Sequence, residues 1–417
     1  MRIVIIGGGA AGFMAAITAA QASPESDILI LEKNRTVLNK VRVSGGGRCN
    51  VTHACFDNRL MVKNYPRGER FLKKLLPFFD VQATIQWFES RGVRLKTEAD
   101  GRMFPTTDSS ETIIQCLLDQ ARKHGIRIRT STAIESFTYP TGTASFGPFL
   151  LHLKDGETLP ADRLLIATGG YPKRAGFEWI ATHQHQIENP VPSLFTFNVP
   201  DSYLLPLSGV SVQNAQVSIV GTPYSWQGPL LLTHWGFSGP AVLKLSAWGA
   251  RALEAVNYDF TCRINWVPER NEDQVRDELT NLKKSTPRQL VASHAQFGLP
   301  NRLWRAFLVN VDISEQIRWV DLPTKSLNRL ISLLVNSHFR VNGKSTYKEE
   351  FVTAGGVALS DIDPLTLESR HVKGVFFAGE VLDVDGITGG FNFQNAWTTG
   401  YVAGKNLAKP ALLTTTT

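Results

Sequence analysis

Two glycine clusters carry the strongest chemical signal in the chain. The first, Gly7, Gly9 and Gly12 in IIGGGAAGFMAAITAAQA, has the spacing GxGxxG. It follows a β-branched apolar run, RIVII at 2–6, and opens a helical run. A second strand, DILIL at 27–31, ends on Glu32, twenty residues after Gly12. Strand, glycine turn, helix, strand and acid in this order form a dinucleotide fingerprint. Gly7 permits the tight turn, Gly9 admits a pyrophosphate against the backbone, and Gly12 lets helix and strand pack closely. The helix start offers N–H groups and a positive dipole end to phosphates. Glu32 is expected to accept the ribose hydroxyls, which disfavours a 2′-phosphate there.

The second cluster is SGGGRCN at 44–50. Three consecutive glycines lose much conformational freedom on folding, so something must approach the main chain closely. Backbone at 45–47 is expected to lie against the pyrophosphate or a flavin ring, with Arg48 and Asn50 as donors. A nicotinamide dehydrogenase would continue in alternating strands and helices, whereas this chain enters a long loop. The reading is therefore flavin, and with no second GxGxxG after residue 12 any NAD(P)H binds transiently. Far downstream, 374–408 reads as a buried strand, an acidic glycine loop with Asp383 and Asp385, and a helix beginning near Asn392 to Asn395. Its N-terminus is expected to face the flavin O2 side and favour negative charge there. The two ends of the chain thus form one domain.

Other reactive types are weaker signals. His234, in LLLTHWGFSGP between a strand and a helix start, is the candidate proton donor or carbonyl polariser; a structural histidine is the alternative. His183 and His185 form HxH without a neighbouring cysteine or carboxylate cluster, so no metal is expected. Cys49 and Cys55 lack disulfide-oxidoreductase spacing, and there is no GxSxG or Walker loop. Four cysteines without a CxxC suit a reducing compartment. The N-terminus imitates a signal peptide, but glycines inside its apolar run fit a βαβ unit, and no other segment approaches ~20 apolar residues. The expectation is a cytoplasmic protein without a membrane partner. A net charge of +7 accompanies basic residues scattered along 417 positions with no long basic run, so no stable nucleic-acid partner is expected. The oligomeric state stays open.

From about 191 the texture changes. SLFTFNV, VQNAQVSIVG, YSWQGPLLLTH and NYDFTCRINW are short alternating strands between Gly, Pro and Asn turns, as in a small antiparallel barrel. SGPAVLKLSAWGARALEA reads as a helix with Ser238 as N-cap. Residues 268–338 are helical, punctuated by prolines. FRVNGKSTYKEEFVTAGG reads as a returning strand pair with an Asn342-Gly343 hairpin turn. The expected domains are 1–190 plus 354–410 for the nucleotide, 191–267 plus 339–353 for the barrel, 268–338 for a helical subdomain, and a disordered tail at 411–417.

GGGAAG, SGGGRCN, GRMFP, THWGFSGP, VTAGGVAL and FAGEVLDVDGITGGFNFQNAW occur in the order seen in bacterial BaiN-like (YhiN-like) flavoproteins, and the chain resembles that family along nearly its whole length. The resemblance implies an α/β fold: a Rossmann-like FAD domain of glutathione-reductase or fumarate-reductase type, interrupted by a small antiparallel β-barrel with a helical insertion. It also implies FAD held by Gly7, Gly9, Ala10, Ala11, Gly12, Glu32, Lys33, Ser44, Gly45, Gly46, Gly47, Arg48, Cys49 and Asn50; with no histidine or cysteine placed as a tether, noncovalent FAD is expected. Ile134 would touch adenine through its backbone, and Gly169, Gly379, Glu380, Asp385, Gly390, Phe391, Asn392 and Asn395 would complete the site. One branch of the family reduces alkenes conjugated to a ketone in bile acids. The activity implied is hydride transfer through flavin N5 to a small enone-type substrate, with NAD(P)H as donor. An oxidase or dehydrogenase of C–N or C–O bonds, or a flavin-bearing RNA-binding module, are the alternatives. After LLIATGG (164–170) the chain departs from the family pattern with YPKRAGFEWIATHQHQ, which loosens any inference about substrate.

Overall fold

Five short apolar runs build one parallel sheet in the order Val375–Phe377, Arg163–Ile166, Arg2–Ile6, Asp27–Leu31, Arg127–Arg129. Ile3, Val4 and Ile5 have no exposed surface, as expected of a strand covered on both faces. The order makes Arg2–Ile6 and Arg163–Ile166 neighbours although they lie far apart in the chain; this is the topological switch point, where crevices for ligands form at strand carboxyl ends. These observations come from a computed structural model that describes residues 1–140, 148–345 and 352–409.

The helix Ala10–Ala22 crosses the long C-terminal helix Phe391–Leu407. Close approach is possible because Gly400 and Gly404 lie against the backbone of Ala11 and Ala15; a Cβ at either would come within 2.6 Å of a carbonyl oxygen. Two antiparallel three-stranded sheets and the strand pair Ile187–Ser193 with Val352–Val357 accompany the parallel sheet. One is Ile134–Thr138, Phe149–Leu153 and Thr158–Ala161; the other joins Thr52–His53, Arg102–Pro105 and Leu95–Thr97.

The chain divides into two compact units, Met1–Pro192 with Lys348–Thr417, and Ser193–Tyr347. The second is a seven-stranded antiparallel sheet beginning with Ser337–Asn342 at one edge and ending with Lys344–Ser345 at the other. Asn342-Gly343 is therefore not a hairpin turn as the sequence suggests. Gly343, at φ +89, carries the chain from one edge to the other, receiving a hydrogen bond from Asn198 N and donating to Tyr258 O, so the sheet curls until its edges meet. The helices Glu272–Ser285, Asn301–Asn310 and Thr324–Asn336 share one apolar core with this sheet, Trp266 packing on Phe307 at 5.2 Å. The helix Pro240–Ala255 starts one residue later than expected: Gly239 at φ +89 is its N-cap and Ser238 ends a strand. A serine would be strained at that left-handed corner, and Pro240 pre-sets the first helical turn. The tail at 411–417 lies outside the described residues, as does 346–351 within the returning segment. Among the described residues no helix is long and apolar enough to cross a membrane.

Candidate flavin site

Of the three fingerprint glycines, only Gly9 faces open space, with nothing within 4 Å of an added Cβ. Gly7 adopts φ +115 and presses on the Ala167 carbonyl, while Gly12 presses on Gly7. Gly9 is also the extended N-cap of Ala10–Ala22, with no side chain capping the helix, so the first-turn N–H groups are uncovered where a phosphate needs them. Glu32 is nearly buried; Oε2 accepts from Gly8 N (2.9 Å) and Oε1 from Asn34 N (2.8 Å) and Nδ2 (2.6 Å). Thr132 N donates to the Glu32 carbonyl (2.9 Å), which brings the start of the Ile134 strand alongside. Lys33 lies over the Tyr171 ring at 5.2 Å, so the divergent segment touches a predicted cofactor residue. Gly169, at φ +74, also has open space beyond its Cα.

The SGGGRCN stretch is not the simple loop its composition suggests. A helix from Asn39 runs into it, Ser44 breaks out at ψ 147, and Gly45, Gly46 and Gly47 take φ of +58, +70 and +83. Gly45 and Gly46 pair these φ values with ψ of 30 and 36, a left-handed turn that glycine adopts without the Cβ penalty of other residues. Gly46 and Gly47 have open space around them. Arg48 directs Nη1 to Glu98 (2.6 Å) and Asp108 (3.5 Å) and lies over Phe104 at 3.9 Å, its Nε reaching back to Gly45 O (3.4 Å). The bond it donates to Glu98 raises its pKa. Cys49 is fully buried at φ +62, and burial pushes its thiol up to about 12; Cys55 is also free and raised by burial. Neither is set up as a thiolate at neutral pH. Asn50, with its amide turned to satisfy both ends, accepts from Gly390 N (2.9 Å) and donates to Thr52 O (2.9 Å).

The C-terminal motif closes on these elements. Gly379 N donates to Thr399 Oγ1 (2.9 Å), and Gly379 abuts the Ala11 side chain. Glu380 accepts from Thr353 N (2.9 Å) and Lys40 Nζ (2.6 Å). Asp385, with no exposed surface, is paired with Arg67. Gly390 at φ +96 caps the helix Phe391–Leu407; Phe391 O accepts from Tyr65 Oη (2.7 Å), and its ring stacks on His53 at 4.7 Å. Asn392 and the backbone of Gly386 exchange two 2.8 Å bonds. The buried oxygens Asn395 Oδ1 and Thr353 Oγ1 have no partner among the described residues. Most buried polar atoms are paired, so an uncovered helix start, a left-handed glycine run and two orphaned oxygens fit a bound FAD.

Sequence reasoning missed Lys40, His53, Tyr65, Arg67, Thr353 and Thr399. Thr353 had a signal, lying in VTAGGVAL, as did His53, Tyr65 and Arg67, in the stretch after SGGGRCN. His234 belongs to the second unit, exposed at the turn between Ser225–Thr233 and Gly236–Ser238, so a strand separates it from the helix start. Its ring meets Trp235 edge-on at 4.2 Å. His183 stacks on Phe137 at 3.8 Å, and His185 is buried with Nε2 2.8 Å from Ser369 Oγ. Among the described residues no group of three or more His, Cys, Asp or Glu side chains could hold a metal ion.

A Rossmann sheet whose switch point carries these elements, closed by the C-terminal helix, defines the class of FAD-dependent oxidoreductases. The chain belongs to the HI0933-like family: the profile described as "HI0933-like protein Rossmann domain" matches residues 1–406. It is 28% identical to the 3-dehydro-bile acid delta(4,6)-reductase of Clostridium scindens, over 98% of this chain and 99% of that one. It is 30% identical to the ribosomal RNA dihydrouridine synthase of Escherichia coli, over 97% of each. Among solved structures, the 3-ketosteroid-delta4-(5alpha)-dehydrogenase of Rhodococcus jostii RHA1 matches with a TM-score of 0.52 at 14% identity, over 98% of this chain and 96% of that one, a likeness of fold.

Proposed function

We propose that the protein reduces a carbon–carbon double bond conjugated to a carbonyl, with NADH or NADPH as donor. One observation carries this reading. A 3-dehydro-bile acid reduced at delta(4,6) and a uridine converted to dihydrouridine differ in size and charge, yet in both the saturated bond is an alkene in conjugation with a carbonyl, and both relatives match at least 97% of this chain. The substrate gains a hydride at the carbon β to the carbonyl and a proton at the α carbon, while the nicotinamide gives up the hydride. Bound FAD supplies the hydride-transferring centre.

The chain's own groups bind and polarise. The first turns of Ala10–Ala22 and the left-handed run at Gly45–Gly47 are proposed to receive the pyrophosphate and adjoining groups, with Glu32 toward the ribose. The start of Phe391–Leu407, capped by no side chain, supports negative charge on the cofactor, and Asn395 adds a buried amide. His234 is the proposed proton donor.

Anaerobic rapid mixing of the purified yellow protein with NADH and NADPH, followed near ~450 nm, tests the donor, since the cofactor carries the redox chemistry. The expected result is bleaching by at least one nicotinamide and recovery of colour on adding a conjugated ketone or a uridine-containing RNA. Flavin that stays oxidised with both nicotinamides and bleaches with an amine or alcohol would replace this reading with a C–N or C–O oxidase or dehydrogenase.

A further inference from the structure

We propose that the surface of residues 56–78 is a docking strip for single-stranded RNA, an inference that rests on the reductase reading with a uracil ring as the conjugated alkene. The charge is concentrated here. The segment FDNRLMVKNYPRGERFLKKLLPF holds six cations and two carboxylates, a net +4 of the chain's +7, in 23 residues. Arg59 and Lys63 are paired with Asp57 and Glu69 while their side chains stay 84% and 67% exposed. Arg70, Lys73 and Lys74 are exposed, and no ion pair engages them among the described residues. They stand at i, i+3 and i+4 of the helix Glu69–Leu75, whose opposite face buries Phe71, Leu72 and Leu75. Such spacing places the three cations about 5–6 Å apart at their bases, a ladder along which a phosphate backbone can be tracked.

Exposed aromatics flank the ladder. Phe56 is 57% and Phe78 55% exposed, and among the described residues no other phenylalanine, tyrosine or tryptophan is as open to water; Leu60, at 61%, lies between them in the chain. An aromatic left in water beside cations is the combination that stacks bases and neutralises phosphates. An anionic membrane would need an apolar helix face to insert, and the apolar face of Glu69–Leu75 is turned inward.

The strip is continuous with the candidate flavin site. Residues 64–68, in its middle, run along the loop that precedes Phe391–Leu407. Ile387 N donates to Asn64 O (2.9 Å), Tyr65 Oη donates to Phe391 O (2.7 Å), Arg67 pairs with Asp385, and Gly68 lies against Val384. RNA held on the strip is thereby tied to the loop and helix start proposed to support the cofactor.

The test uses the full-length flavin-loaded protein and a fluorescent uridine-rich single-stranded RNA, with anisotropy read across a salt series. Three variants are compared: Arg70→Ala/Lys73→Ala/Lys74→Ala, Phe56→Ala/Phe78→Ala, and Arg276→Ala on the other unit as a charge control. The triple variant is expected to weaken binding at least about tenfold and flatten the slope of log affinity against log salt by about 2, given roughly 0.7 per phosphate contact for single strands. The aromatic variant is expected to weaken binding by about fivefold or more at unchanged slope. Wild-type protein that binds no RNA, or a triple variant that binds like wild type, would overturn the proposal; so would variants that instead lose binding to phosphatidylserine vesicles. Reduction of a small conjugated ketone is measured in parallel. Absence both of this activity and of uridine reduction in the bound RNA, with RNA binding intact, condemns the reductase reading, whereas ketone reduction intact in every variant with RNA binding unaffected condemns only the strip.

Discussion

Asp385 has no exposed surface and Arg67 is its guanidinium partner, so the pair is the structure's main buried ionic commitment in the loop before the C-terminal helix. Arg67→Ala removes one charge and leaves the other buried, which is expected to cost about 3–5 kcal/mol, read as a lower urea midpoint. Asp385→Asn combined with Arg67→Ala should recover part of that loss. His185 supplies a pH dependence. Burial lowers its pKa to about 4, with His371 and His183 adding repulsion and the Ile180 carbonyl and Asp361 acting the other way. Between pH about 6.5 and 4 the unfolded chain binds this proton and the native chain does not. Stability is therefore expected to fall as pH drops through that window, by on the order of 3 kcal/mol, and His185→Gln should flatten the thermal-unfolding profile there. His234→Ala is expected to slow substrate reduction about 100-fold, within the range for a lost general acid, while leaving the rate of bleaching by nicotinamide unchanged. The glycine fingerprint was legible in the sequence because each of its jobs is local to a turn and the strand beside it. Arg67 with Asp385 was not, since 318 residues separate the partners and only the tertiary fold joins them.

At the scale of elements, the crossing of Ala10–Ala22 over Phe391–Leu407 depends on two missing side chains. Gly400→Leu would drive a side chain into the Ala11 backbone and is expected to destabilise by about 1–3 kcal/mol or more, with loss of bound flavin measured by its absorbance after gel filtration. The strands Arg2–Ile6, Asp27–Leu31 and Val375–Phe377 were legible as apolar runs ending at turn residues, and the helices of 268–338 because prolines fall between them; Arg127–Arg129, three residues with two arginines, was not. The Asn342-Gly343 turn misled because a dipeptide fixes only a local bend. Which strands it joins is decided by how the sheet curls, and here the flanking strands pair with Asp259–Asn265 and Thr196–Asn198 instead of each other. SGGGRCN misled in the other direction: its glycines announce a loop, yet a helix from Asn39 runs into it, breaks out at Ser44 and hands over to glycines that turn left-handed.

For the whole molecule, the composition concealed what the fold reveals. Basic residues look scattered along 417 positions, yet more than half of the net charge falls within one short exposed segment beside the loop before the C-terminal helix. Each unit has its own core, so calorimetry is expected to resolve two transitions, with added FAD raising only the one that contains residues 1–192. At a hundredfold excess over its dissociation constant, FAD should add about 2.7 kcal/mol to that unit. The strands Ile187–Ser193 and Val352–Val357 pair with each other, so the chain leaves the first unit and returns to it side by side. To that unit everything between them is a single loop, and loop-closure entropy grows only slowly with length. A gene in which a short glycine-rich turn replaces that loop should therefore still yield a folded protein that turns yellow with FAD, which makes the second unit a replaceable cassette on a self-sufficient body.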